Sequence, residues 1–68
     1  MGATADAVTE FERVRAENPR FLPARLHLGL CYYAEGRRAD AMNEWRAVLE
    51  IAPDNKSAQM YLSMLDRA

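Results

Sequence analysis

A chain of 68 residues has room for one small domain, and at that size folding removes only about 60% of the surface that the unfolded chain exposes. Half of the residues are hydrophobic and 28% are charged, a balance that suits a folded helical protein and excludes disordered, collagen-like or low-complexity sequence. The net charge of −1, with eight arginines and one lysine interleaved among ten acidic residues, leaves no field to gather nucleic acid or an anionic membrane.

The first element expected is a helix from Thr4 to Glu17, with Ala7, Phe11 and Val14 on one face and Pro19 closing it. A second helix follows over Leu22 to Ala34, where Pro23 sits in the first turn and its missing donor does no harm. This helix is apolar on two sides. Ala24, Leu28, Cys31 and Tyr32 cluster on one, and Leu26, Leu30 and Tyr33 on the other. Gly29 in its middle costs about 1 kcal/mol relative to alanine, so packing must require it. The expectation is that Gly29 makes room for a bulky residue of the next helix, with Trp45 the obvious candidate. Gly36 has a different task, ending the helix in a left-handed conformation so that the chain can reverse.

The third helix is expected over Arg37 to Ile51, presenting Ala41, Trp45 and Val48 on one face. Beyond Pro53, Asp54 or Asn55 can cap a fourth helix that runs from Asn55 to Arg67. It places Ala58, Leu62 and Leu65 on a packing side and Met60 and Met64 on the other. No strand pattern competes with these four helices.

Few residues point to chemistry. A single cysteine, Cys31, excludes an internal disulfide and any cysteine-based zinc site. His27 lies four residues before it, but no third group is in sight to complete a nucleophilic site. Glu10, Asp40 and Glu44 read as surface or capping positions, and Arg37 with Arg38 as a solvated turn. No phosphate loop, ligand cluster or paired nucleophile and base is present, so neither an enzyme nor a metal or cofactor is expected. A helix-turn-helix DNA reader fits in outline, but the acidic balance disfavours it. No apolar run is long enough for a bilayer, and "MGATADAVTE" lacks the parts of a signal peptide; a cytoplasmic setting is favoured. The wealth of alanine and arginine suggests a bacterial origin.

Set against itself, the chain matches at an offset of 34 residues: Ala5 with Ala39, Ala7 with Ala41, Glu10 with Glu44, Val14 with Val48, Pro19 with Pro53, Ala24 with Ala58, and Leu28 with Leu62. Phe11 with Trp45 and Leu30 with Met64 extend the match conservatively. This period, together with Leu28-Gly29-x-x-Tyr32, Gly36, Ala41-x-x-x-Trp45 and Pro53, resembles the tetratricopeptide repeat family. Residues 22–55 resemble one complete repeat, 1–21 the second helix of a preceding one, and 56–68 the first helix of a following one or a capping helix. Arg25 departs from the family's usual tryptophan, and Ser63 and Asp66 stand where Gly29 and Tyr32 stand in the full repeat.

The resemblance implies an all-α fold of antiparallel helix pairs stacked as a short right-handed superhelix. It also implies a concave groove lined by Leu26, Leu30, Tyr33, Met60 and Met64, with Arg67 and Pro23 at its rim. The family's clamp for C-terminal carboxylates uses lysine, arginine and asparagine, whereas here Leu26, Leu30, Met60 and Met64 hold such places. The expected ligand is therefore an apolar or amphipathic helical segment of a protein or peptide. Repeat units cannot bury their faces alone, so both ends of the stack are expected to expose apolar surface, including Phe11, Val14 and Leu65. The alternative function is accordingly self-assembly into a homo-oligomer through these ends or by helix exchange.

Overall fold

The computed structural model describes residues 2–67, with side chains from residue 5 to residue 66. Four helices follow one another: α1 (Gly2–Glu17), α2 (Leu22–Ala34), α3 (Arg38–Ile51) and α4 (Lys56–Arg67). Each packs on the next, α2 against α3 most extensively, in a slab with extents of 31 × 28 × 15 Å. Short connections force neighbouring helices to run antiparallel. The stack is thus an all-α fold of helix pairs, with α2 and α3 each held between two neighbours and α1 and α4 packed on one side only.

Local chemistry sets the boundaries. Phe21 is extended ahead of α2, and Pro23 falls in the first turn where an amide donor is dispensable. Arg37 and Asn55, the expected first residues of the third and fourth helices, lie just outside them because each serves as the N-cap. Asn55 accepts a bond from the Ala58 amide on its side-chain Oδ1 at 2.9 Å, satisfying one orphan donor of α4. α2 ends as Gly36 predicts: φ is +80°, the Gly36 amide donates to the Tyr33 carbonyl at 3.0 Å and the Arg37 amide to that of Tyr32 at 2.8 Å. That pair of bonds is the Schellman arrangement, and its left-handed residue is the one glycine tolerates best.

The 34-residue match is also a match of contacts. The Asn18 and Ala52 amides donate to the Val14 and Val48 carbonyls at 2.8 and 2.7 Å, and those of Phe21 and Asn55 to Asn18 and Ala52, both at 3.0 Å. Arg25 Nε donates to the Pro19 carbonyl at 2.8 Å, and Gln59 Nε2 to that of Pro53 at 2.9 Å. Phe11 stacks on His27 with centroids 5.3 Å apart, and Trp45 meets Tyr61 at 5.0 Å. Different side chains thus make equivalent contacts in two successive units.

Leu28, Ala41, Trp45, Val48 and Ala58 are completely enclosed, with Val8, Ala24, Tyr32 and Leu65 nearly so. On α1 it is Val8 that reaches the core, while Ala7, Phe11 and Val14 are only partly covered. The reason is positional: α1 has a single neighbour, so the face that α3 buries on both sides is half open here. The Trp45 indole lies directly on the backbone of α2, where a Cβ at Gly29 would come within 2.5 Å of Cε2 and 2.8 Å of Cδ1. From that position Nε1 donates to the Leu26 carbonyl at 3.2 Å. Gly29 is the gap that lets a fully buried ring satisfy its only polar atom. Arg38 reaches across from α3 to the Leu65 carbonyl at 2.9 Å, closing the end of α4.

Candidate functional site

The residues expected to line a groove form repeat-equivalent pairs, Leu26 with Met60, Leu30 with Met64 and Tyr33 with Arg67, on the two helices that flank α3. Equivalent positions on equivalent helices face the same side of the layer. Met60 is 56% exposed, Met64 42% and Tyr33 41%. Leu26 and Leu30 are half-buried and pack against the core, because α2 has neighbours on both sides whereas α4 has one. The side chain of Arg67 lies outside the described residues, and Pro23 is exposed at the start of α2. Phe21, 46% exposed at the entrance to α2, is a further large apolar side chain at the surface that periodicity did not single out, since it sits in the turn. Thioether side chains adapt to irregular apolar surfaces.

A polar cluster lies where α1, α2 and α3 meet. Glu44, expected at the surface, is instead 6% exposed and buried between two guanidinium groups. Its carboxylate accepts from Arg15 of α1 and, at 3.3 Å, from Arg25 of α2. Tyr32 donates its hydroxyl to Glu12 Oε2 at 2.6 Å. Arg25, standing in place of the family's tryptophan, thereby becomes a partner for Glu44. Two acidic and two basic residues balance, and no buried side-chain polar atom among the described residues is unpartnered. The cluster satisfies itself and aims no free group at a ligand.

Burial, then the bond to Glu12 and its negative charge, push Tyr32 from 10.0 up to about 12. The folded chain holds this proton more tightly than the unfolded one, so the contribution is complete below pH 10 and is lost as pH rises towards 12. The urea midpoint is expected to fall through that window in the parent chain and to fall less in Tyr32→Phe; parallel curves would show that Tyr32 does not carry the effect.

Neither Cys31 nor His27 is poised for chemistry. Burial, with Glu35 nearby, raises the Cys31 thiol above its ordinary range, the opposite of the shift that activates a thiolate. His27 lies flat against Phe11 and its Nδ1 meets the Pro23 carbonyl at 2.8 Å. Arg37 covers the Tyr32 ring at 4.3 Å and pairs with Asp40 at 2.8 Å, so the basic turn is engaged with its own chain. Among the described residues no group of histidine, cysteine or carboxylate side chains is arranged to hold a metal, and no helix is long and apolar enough to cross a membrane.

A family model described as tetratricopeptide repeat matches residues 1–65. The chain is 48% identical over 50 residues, 74% of its length, to the cytochrome c-type biogenesis protein CycH of Bradyrhizobium diazoefficiens. It is 28% identical over 64 residues, 93% of its length, to tetratricopeptide repeat protein 1 of Schizosaccharomyces pombe. These matches span 14% and 6% of the two relatives, which are far longer proteins. No solved structure matches the chain. The 34-residue period, the Gly29–Trp45 contact that locks one helix onto the next and the family match over nearly the whole sequence agree: the chain belongs to the tetratricopeptide repeat family, whose members serve typically as non-enzymatic protein-interaction modules.

Proposed function

We propose that the chain is a binding scaffold whose partner is an apolar or amphipathic helical segment, received along Leu26, Leu30, Tyr33, Met60 and Met64, with Arg67 at the rim. Residues 22–55 act as the complete repeat, with 1–21 and 56–68 supplying the flanking helices. The observation that carries this reading is the exposure of Tyr33 on α2 and of Met60 and Met64 on α4, where a monomer gains nothing from large apolar side chains. The name of the Bradyrhizobium relative supports a setting in cytochrome c-type biogenesis, with this chain as one binding module of such an assembly.

The test uses a fluorescein-labelled synthetic amphipathic helix of leucine, alanine, glutamate and lysine, followed by anisotropy. Met60→Glu with Met64→Glu is expected to weaken binding at least about tenfold, roughly 1.4 kcal/mol, without lowering the melting temperature. Leu30→Glu, by contrast, lowers it, because Leu30 also packs against the core. Equal affinity in the methionine variant removes the groove reading. Self-assembly through the outer helices is the second reading, favoured by the partial exposure of α1 at positions whose α3 counterparts are buried.

A further inference from the structure

The 34-residue register makes α1 the counterpart of α3 and α4 the counterpart of α2. Ala41, Glu44, Trp45 and Val48 of α3 are all buried; Ala7, Phe11 and Val14 of α1 are partly exposed and Glu10 is exposed. On α2, Gly29 is buried beneath Trp45, whereas its counterpart on α4, Ser63, is exposed. The chain therefore carries two open faces of known complementarity: one of the kind that α3 presents to α2, and one of the kind that α2 presents to α3.

We propose that a second copy of the chain covers α4, laying its α1 there in the register in which α3 lies on α2. This rests on the self-assembly reading and specifies its geometry. Size supports the fit. Trp45 over Gly29 leaves no space for a Cβ, while Phe11 over Ser63 pairs a smaller ring with a larger small residue, so the volumes compensate. Polar groups support it as well. Arg25 holds the Pro19 carbonyl through Nε while its Nη1 reaches Glu44, and its counterpart Gln59 holds the Pro53 carbonyl through one N–H of Nε2, leaving the second N–H of that amide to donate to Glu10 of the second copy. Among the described residues the carboxylate of Glu10 pairs with the exposed Arg13 alone. The counterpart of Arg15 is Leu49, so Glu10, unlike Glu44, meets no guanidinium from that side and keeps Arg13 as its counter-charge.

Such an interface is heterologous, because different surfaces meet, and each added copy leaves one face of each kind open. The product is an open head-to-tail stack rather than a closed dimer. It continues the helix order α1 to α4 from copy to copy and lengthens the row of α2 and α4 faces with it.

Sedimentation velocity on the 68-residue chain from micromolar to millimolar concentration tests the proposal. The average mass is expected to rise without a plateau at the dimer. Ala7→Arg blocks the α1 face and Ser63→Arg the α4 face; neither residue belongs to the core, and circular dichroism melts check that both variants fold. Each variant alone is expected to be monomeric, and an equimolar mixture to form dimers and stop there. Glu10→Arg gives an independent block of the α1 face should Ala7→Arg not fold, and Gln59→Glu on the other copy is expected to restore its binding. Association of either single variant to the parent's extent overturns the proposed register. A parent chain that stops at a dimer points to an isologous contact, which overturns the register and leaves self-assembly standing. A parent chain that is monomeric throughout overturns both.

Discussion

Gly29→Ala is expected to lower the unfolding free energy by about 2–3 kcal/mol, against the direction of helix propensity, which favours alanine by about 1 kcal/mol. The new methyl group would stand 2.5 Å from Cε2 and 2.8 Å from Cδ1 of a ring that has no exposed surface through which to escape. Overpacking of this kind costs about 1–3 kcal/mol. Moving the ring aside also lengthens the 3.2 Å bond from Nε1 to the Leu26 carbonyl, and a buried donor left unmade adds about 1–3 kcal/mol. Together these terms exceed the propensity gain. A domain of 68 residues has roughly 3–10 kcal/mol to lose, so the variant forfeits a large share of it. Urea denaturation followed by circular dichroism measures the loss. In a Trp45→Phe background the same substitution is expected to cost less than about 1 kcal/mol, because the smaller ring leaves room for the methyl. An alanine variant as stable as its parent would mean that no close approach of α2 and α3 occurs at this point.

That contact was legible in the sequence because a glycine inside a helix costs stability and has to be explained. The turn at Gly36 and the cap at Asn55 were legible for similar reasons: each residue type answers one backbone requirement, and the requirement is local. The period of 34 gave the order of the helices, since a self-match spread over many positions reports a shared geometry that no single residue could. Less of the outer surface could be read. Leu26 and Met60 occupy equivalent places with similar chemistry, yet one is half-buried and the other 56% exposed. Periodicity treats the two alike because it does not know that α2 has neighbours on both sides and α4 on one. Glu44 shows the same limit more sharply. It matches Glu10, whose side chain is 64% exposed beside Arg13 three residues away, but the partners that bury it come from 29 and 19 residues upstream. No local pattern announces such a contact; the arginine at position 25, where the family has tryptophan, was its one trace.

Glu44→Ala is accordingly expected to cost about 2 kcal/mol, whereas Glu10→Ala changes stability by no more than about 0.5 kcal/mol. Removing one partner of a buried ion pair costs about 3–5 kcal/mol when both charges are sealed from water. Here the side chains of Arg15 and Arg25 keep 32% and 18% of their exposure, so water repays part of what the carboxylate supplied. Their two positive charges are then left facing each other across the space that Glu44 occupied. Arg25 keeps its bond to the Pro19 carbonyl and stays where it is, which prevents the repulsion from relaxing by simple rotation into solvent. A double-mutant cycle of Glu44→Ala and Arg25→Ala, read by urea denaturation, is expected to give a coupling energy of about 1 kcal/mol or more. A coupling near zero would reduce the cluster to a set of independent contacts. The coupling matters for the fold because the cluster draws on three helices: Glu12 and Arg15 from α1, Arg25 and Tyr32 from α2, and Glu44 from α3. Apolar faces alone let α1 slide along α2 by a turn at modest cost; a carboxylate of α3 that must meet one guanidinium from α1 and one from α2 admits a single register.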